Sequence, residues 1–159
     1  MESDGRLKLQ SLRNGRDWLV IAATAFLAAN LVHGADHVRQ EFAGFTIAVF
    51  IGGTLLTVQA VAVFVLARRR DPRAPLFAAV VGFSAAALVA AAHIAPHWGV
   101  LSDSYIDDID PDALAWAVML LEVATAFALG IVGVLALRAR GASAEGLTAS
   151  PEPVAGSSV

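Results

Sequence analysis

All four histidines of the chain occur in two pairs that share one internal pattern. The stretch LVHGADHV contains His33 and His37, and the stretch AAHIAPHW contains His93 and His97. Side chains four residues apart lie on one face of a helix, so each pair points two imidazoles in the same direction. Imidazole is the commonest metal-binding side chain. We therefore expect the two pairs to form one site for a transition metal ion or for one haem.

The residue types narrow the choice of cofactor. Imidazole suits zinc, copper and iron, and a haem b would take one axial imidazole from each pair. The chain has no cysteine, which excludes thiolate ligands, iron–sulfur clusters and covalently attached haem. Asp36, which lies beside His37, is a candidate further metal ligand or an acceptor that orients an imidazole.

Two residues inside the pairs affect this geometry. Pro96 lies between the second two histidines, and proline tends to kink or end a helix, so His97 can leave the face on which His93 lies. Gly34 lies inside the first pair. A glycine there allows a neighbouring helix or a flat cofactor to come close to the backbone.

Long apolar segments must position these histidines. The chain has 159 residues, of which 57% are hydrophobic, and a membrane-spanning helix needs about 20 mainly apolar residues. The apolar runs are continuous, without the alternation of barrel strands. The sequence therefore predicts an all-α fold, a four-helix transmembrane bundle. The predicted spans are residues 18–37, 45–67, 75–97 and 113–137.

Basic residues predict the orientation of the bundle. Of the 11 Lys and Arg residues, ten flank the predicted inner ends of the spans and only Arg39 lies at the other side. Basic residues near span ends stay cytoplasmic. We expect both termini in the cytoplasm and the histidines at the extracytoplasmic face of a plasma membrane. The composition of the chain would suit a bacterial source. The opposite side is acidic: Asp36 and Glu41 lie near the first outer loop, and the second holds Asp103, Asp107, Asp108, Asp110 and Asp112.

The spacing of the histidines indicates an internal repeat. His33 and His93 are 60 residues apart, as are His37 and His97. Each pair ends an outward-running helix, and the next helix ends in arginines. We interpret this as two tandem helical hairpins. The third span is rich in small residues, which favour close helix contact. We expect it to face the first span and so to bring the two histidine pairs together.

Three polar residues lie within the spans. Glu122 is the only acid deep in a span, and an intramembrane carboxylate indicates function by default. It is a candidate proton relay, deeper ligand or charge partner of a histidine; otherwise it is a protonated group bonded to a neighbouring helix. Asn30 shares the face of His33 and is a candidate partner of the site. Gln59 is interpreted as an interhelix hydrogen-bonding residue.

The domain organisation follows from these spans. Residues 1–16 are expected to be a cytoplasmic tail, 17–140 the membrane domain and 141–159 a disordered cytoplasmic tail, because the last segment is small and polar. The partners expected are the lipid bilayer and a membrane protein or a second copy of the chain. The basic segments are short and flank helices, so nucleic-acid binding is not supported.

The leading hypothesis is a small integral membrane protein whose four-histidine metal or haem site serves metal handling or electron transfer. The alternative is a non-catalytic accessory subunit or scaffold with structural histidines. Proton handling or pH sensing by the same imidazoles is a further alternative. An enzyme acting on a lipid or quinone is the least favoured interpretation, because the sequence contains no recognisable nucleophile or catalytic motif.

Overall fold

Four helices make up the regular structure of the chain. The computed structural model describes residues 2–41, 46–107 and 111–148, and this part of the chain contains helices and no strands. Each helix includes a segment long and apolar enough to cross a membrane. The all-helical fold and the four candidate spans predicted from the sequence are therefore confirmed. The helices are α1 (Glu2–Arg39), α2 (Ile47–Arg68), α3 (Ala74–His93) and α4 (Ala113–Thr148).

The helix ends differ from the predicted spans in two ways. α3 ends at His93, shortly before Pro96, and not at residue 97. α1 begins at Glu2 and α4 continues to Thr148, so both helices extend into segments expected to be tails. Those segments contain Ala, Leu, Lys, Gln, Arg and Glu, which are strong helix formers. Residues 149–159 of the predicted tail lie outside the described residues.

Local hydrogen bonds define several helix starts. The Thr46 side chain accepts a hydrogen bond from the backbone N–H of Val49 at 3.1 Å and caps α2. The Asp112 side chain accepts one from the N–H of Ala115 at 2.8 Å and caps α4 in the same way. Such caps satisfy backbone donors that a helix leaves unpaired. α3 has Pro75 in its first turn, where the missing N–H costs nothing.

The helices pack in chain order around the bundle, with α4 against α1, and the α3–α4 contact is the most extensive. α1 and α3 lie diagonally and touch little, so the expectation that the third span faces the first is wrong. Glycine explains the difference. A Cβ added at Gly82 would lie 2.4 Å from the backbone nitrogen of Gly130, and one at Gly133 would lie 2.5 Å from that of Ala79. The two backbones approach closely because these positions have no side chain.

The bundle has two ends that differ in chemistry. We call the end where α1 and α3 finish the histidine end, and the end where α2 finishes and α3 begins the arginine end. Between them the core is apolar, and Phe26, Val63 and Leu129 are fully buried in it. The outer faces are also apolar. Ile47, Val80 and Leu121 are each about half or more exposed there, as expected for surfaces that lipid covers.

Candidate metal centre

Three of the four histidines meet at the histidine end. His33 and His37 lie on α1 and His93 is the last residue of α3, and all three are buried. Their ring centroids are 4.7 Å (His33–His37), 4.9 Å (His33–His93) and 5.5 Å (His37–His93) apart. One nitrogen from each ring lies within 4.8 Å of the others. Binding of a tetrahedral ion would draw these nitrogens together by roughly 1 Å, given metal–nitrogen bonds of about 2 Å.

His97 lies outside this cluster. It is exposed in the loop that follows α3, and its backbone N–H donates to Asp107 Oδ2 at 2.8 Å. The helix has already ended at His93 when the chain reaches Pro96, so the four-residue spacing no longer places the two rings on one face. The expectation that all four imidazoles converge is therefore wrong, and the departure of His97 is the one that Pro96 indicated.

Glu122 on α4 orients His33. Its Oε2 is hydrogen-bonded to His33 Nδ1, and its Oε1 accepts from Asn30 Nδ2 at 2.8 Å. Thr57 on α2 donates to Asn30 Oδ1 at 2.8 Å, so the chain of polar groups joins α2, α1 and α4. His33 Nε2 is buried and has no hydrogen-bond partner among the described residues. An imidazole held at one nitrogen by a carboxylate, with the other nitrogen available, is the usual arrangement of a metal-binding histidine.

Asp103 holds the other two imidazoles from the loop side. The Nδ1–H of His93 donates to the backbone carbonyl of Asp103 at 3.0 Å. Asp103 Oδ2 lies 3.6 Å from His37 Nδ1 and 3.7 Å from His93 Nδ1, and the residue is buried. The carboxylate can therefore orient both rings or serve as an additional ligand. The sequence predicts this aspartate only as one member of an acidic loop.

Asp36 belongs to a separate ion-pair network. Its Oδ1 accepts from Arg39 Nε at 2.6 Å and its Oδ2 from Gln40 Nε2 at 2.7 Å, so both oxygens are engaged by side chains outside the histidine cluster. Arg39 also binds both oxygens of Asp112, at 2.8 and 3.0 Å. The pKa of Asp112 lies below its ordinary value because the carboxylate accepts the N–H of Ala115 and pairs with Arg39. This network ties the end of α1 to the start of α4.

The loop after α3 folds back over the cluster. The N–H of Asp103 donates to the carbonyl of Ala92, and that of Tyr105 to the carbonyl of His93, both at 2.9 Å. The Tyr105 ring packs between His93 and Trp116, with centroid distances of 4.7 and 5.4 Å. Burial raises the pKa of the Tyr105 hydroxyl to about 12. The loop therefore seals one side of the three-histidine cluster. Asp108 and Asp110 of the predicted acidic loop lie outside the described residues.

The opposite side of the cluster faces a cavity of about 460 Å³ between α1, α2 and α3. His33, His37 and His93 all line it, and Glu122 and Asn30 contribute polar atoms beside them. The rest of the wall is mainly apolar. The arrangement can bind a metal ion through three imidazoles and leave one coordination position directed at the cavity, which is how metal sites that act on a further ligand are built.

No protein family matches the sequence, and neither a curated protein nor a solved structure is similar to the chain. The chemical interpretation of the site therefore rests on its own geometry. That geometry consists of three converging imidazoles, two carboxylates that contact their Nδ1 atoms, and a cavity on the remaining side.

Proposed function

We propose that this multi-pass membrane protein binds one transition metal ion, zinc in the first place, through His33, His37 and His93. The observation that carries the proposal is the convergence of three buried imidazoles, one of which Glu122 holds at Nδ1. Three histidine ligands with an open fourth position are characteristic of zinc sites that take up water or a substrate. Copper and iron are the alternative ions, because imidazole suits them as well.

The geometry favours a bare ion over haem. In a bis-histidine haem the porphyrin plane passes between the two axial imidazoles. Here each ring of the cluster lies 4.7–5.5 Å, centroid to centroid, from the other two. His33 and His37 are on the same helix and touch each other, so a plane inserted between either of them and His93 would meet the third ring.

The site is proposed as a resident metal centre and not as part of an ion path through the membrane. Below Glu122 the bundle interior is filled by the fully buried side chains of Phe26, Val63 and Leu129. Among the described residues, these buried side chains offer an ion no oxygen or nitrogen ligand, and its desolvation would be very costly. Use of the metal at one end of the bundle, for chemistry or electron transfer with a partner, is therefore favoured over transport.

Metal analysis of histidine variants tests the proposal. The full chain is purified in mild detergent, loaded with zinc, freed of excess ion and measured by elemental analysis. We expect about one zinc ion per chain in the wild type and none in the double variant His33→Ala, His93→Ala. His97→Ala is the matched control and should keep the ion, because His97 lies outside the cluster. Equal zinc content in the double variant and the control would refute the assignment.

The second candidate is a scaffold in which the same groups only hold helices together. The hydrogen-bonded chain from Thr57 through Asn30 and Glu122 to His33 joins three helices, which is a structural role in its own right. This candidate predicts that the wild type binds neither zinc, copper nor iron and shows no Soret band after incubation with haem. It also predicts that His33→Ala lowers the unfolding temperature of metal-free protein by as much as it does after incubation with metal.

The orientation belongs to the same proposal: the histidine end faces the extracytoplasmic side of the plasma membrane and the termini face the cytoplasm. The distribution of arginines supports this, and the one arginine at the histidine end, Arg39, is paired with Asp36 and Asp112. Because the chain has no cysteine, labelling of a single introduced cysteine shows on which side of the membrane that position lies. An impermeant maleimide should label Val100→Cys in intact cells and Asp71→Cys only after permeabilisation. The reverse pattern would invert the topology.

A further inference from the structure

The cavity beside the three-histidine cluster has a polar floor and apolar walls. His33, His37, His93, Asn30 and Glu122 form the floor. Residues of α2, α3 and the following loop form the walls, among them Phe50, Leu56, Leu88, Val89, Trp98 and Leu101. A volume of about 460 Å³ lies within the range of natural small-molecule pockets. The floor is where a metal ion would present its open position, so an occupant of the cavity would touch that ion.

Helical glycines enlarge this cavity without serving helix packing. A Cβ added at Gly34 or at Gly53 would meet no atom within 4 Å, and one at Gly52 would meet only Leu101, at 3.9 Å. All three glycines line the cavity. A glycine inside a helix is less favourable than alanine by about 1 kcal/mol. At Gly82 and Gly133 a neighbouring backbone explains the glycine, whereas at these three positions the free space itself is what the glycines provide.

The mouth of the cavity lies on the face that lipid covers. Phe50, Leu55 and Leu88 line it and are 56%, 56% and 58% exposed. Gln59, deep in the span of α2, also lines it and is exposed. An amide at this depth is costly unless it finds a hydrogen-bonding partner. Gln59 therefore adds a polar group to the lining of the cavity, apart from those of the floor.

We propose that the cavity binds a lipid-soluble molecule with an apolar body and one oxygen-bearing head, and that the head takes the open position on the metal. The apolar walls fit the body, the lipid-facing mouth gives it access, and the imidazoles direct the ion toward the cavity. This inference rests on the proposed metal site. A hydroxyl, a carboxylate and a quinone carbonyl share the required chemistry, so the experiment separates them.

The test uses the full chain in nanodiscs of saturated phosphatidylcholine, loaded with Co²⁺, whose visible absorption reports changes in its ligands. The probes are 1-decanol, decanoic acid and a decyl-substituted benzoquinone, with decane as the probe that lacks an oxygen. We expect at least one oxygen-bearing probe to change the cobalt spectrum in a saturable way and decane to leave it unchanged. No saturable change with any of the three probes on cobalt-loaded protein would overturn the inference.

Two matched glycine variants locate the binding. Gly53→Leu fills the cavity at a position with free space for a side chain, and Gly141→Leu makes the same change in α4, where nothing lies within 4 Å of an added Cβ either. We expect Gly53→Leu to weaken probe binding at least about tenfold, which corresponds to about 1.4 kcal/mol of binding free energy. The cobalt content should be unchanged. Gly141→Leu should behave as wild type. Equal binding by both variants would overturn the inference.

A second variant that obstructs the cavity keeps the test valid if Gly53→Leu does not fold. Leu88→Trp places a larger ring at the lipid-facing mouth and should also weaken probe binding, because Leu88 is exposed and lines the cavity. Cobalt content is measured for every sample, so failure of the metal site can be distinguished from failure of ligand binding. Loss of cobalt from the wild type would refute the metal site, whereas normal cobalt without a probe response would refute only the proposed ligand.

Discussion

The α3–α4 contact and the cavity beside α2 use the same residue, glycine, for opposite purposes. At Gly82 a Cβ would lie 2.4 Å from the Gly130 nitrogen, so the missing side chain lets two helices touch. At Gly53 a Cβ would meet nothing within 4 Å, so the missing side chain leaves a space. The comparison shows that the bundle has one side built for close packing and another side built around a void.

The polar groups follow the same division. Glu122, Asn30 and Thr57 form their hydrogen-bonded chain at the cavity side, next to the histidines. The core between the two ends is apolar, as at Ala85 and Leu129. α2, which forms one wall of the cavity, has much less contact with α3 than α4 has. A helix with few packed contacts is the one most easily displaced, which suits a wall that a lipid-soluble ligand must pass.

The largest expected effect comes from adding one methyl group at each kind of glycine. Gly82→Ala forces α3 and α4 apart, because the methyl would meet backbone atoms that cannot rotate away, and we expect a loss of about 1–3 kcal/mol in the free energy of unfolding. Gly53→Ala meets free space and removes a flexible helical residue, so it should be neutral or stabilising by up to about 1 kcal/mol. Thermal unfolding followed by circular dichroism in one detergent measures both.

The order of these two variants is the decisive result. If Gly53→Ala destabilises the protein as much as Gly82→Ala does, the space beside α2 is closed in the folded protein and the two sides of the bundle do not differ as stated. If Gly82→Ala is neutral, the α3–α4 backbones are farther apart than the structure places them.

The next effect in size concerns the carboxylate that orients His33. Glu122→Gln keeps one side-chain oxygen but replaces the other with an amide NH2 group, so either His33 or Asn30 loses its acceptor. Loss of such a partner typically costs about 10–100-fold in metal affinity. Zinc titration against a competing chelator measures the change. Thr125→Val is the control on the same helix, because the Thr125 hydroxyl donates to the backbone carbonyls of Leu121 and Glu122 and not to a side chain of the described residues. Equal affinities of both variants would leave Glu122 with a packing role alone.

Much of the site could be predicted because its information is local in the sequence. Apolar length alone defines four spans, and the four-residue spacing within α1 places His33 and His37 on one face. The depth of Glu122 in its span made it a candidate partner of a histidine, and the structure shows that contact. Asn30 is a candidate for the same reason, since it lies one helical turn before His33, and in the structure its Nδ2 donates to Glu122 Oε1.

The remainder depends on contacts between distant segments. That α3 packs on α4 follows from the way in which Gly82, Gly130 and Gly133 interlock, which no single helix reveals. Asp103 reaches the histidines because the loop folds back over His93. Asp103 lies ten residues after His93 in the sequence, and this spacing does not indicate that the two residues meet. The sequence makes Asp36 a candidate metal ligand or orienting acceptor because it adjoins His37, yet Arg39 and Gln40 engage both of its oxygens.

The smallest expected effect tests the ion pair that closes the histidine end. Asp112 both caps α4 and binds Arg39, so Asp112→Asn should keep the cap and lose the pair, whereas Asp112→Ala loses both. At neutral pH the unfolding temperature should fall slightly in the first variant, since exposed pairs contribute little, and further in the second. Unfolding temperatures of the three proteins, recorded between pH 7 and pH 3, measure this.

The pH dependence has a definite sign. The pKa of Asp112 is lowered in the folded chain, so its contribution to stability is present above the ordinary aspartate pKa and is lost as the pH falls through the lowered value. The difference between wild type and Asp112→Asn should therefore shrink on acidification. A difference that stays constant or grows would mean that the Arg39–Asp112 pair does not hold α1 to α4. The contacts of Glu122 with His33 and of Tyr105 with His93 and Trp116 would then join the helices at the histidine end without that pair.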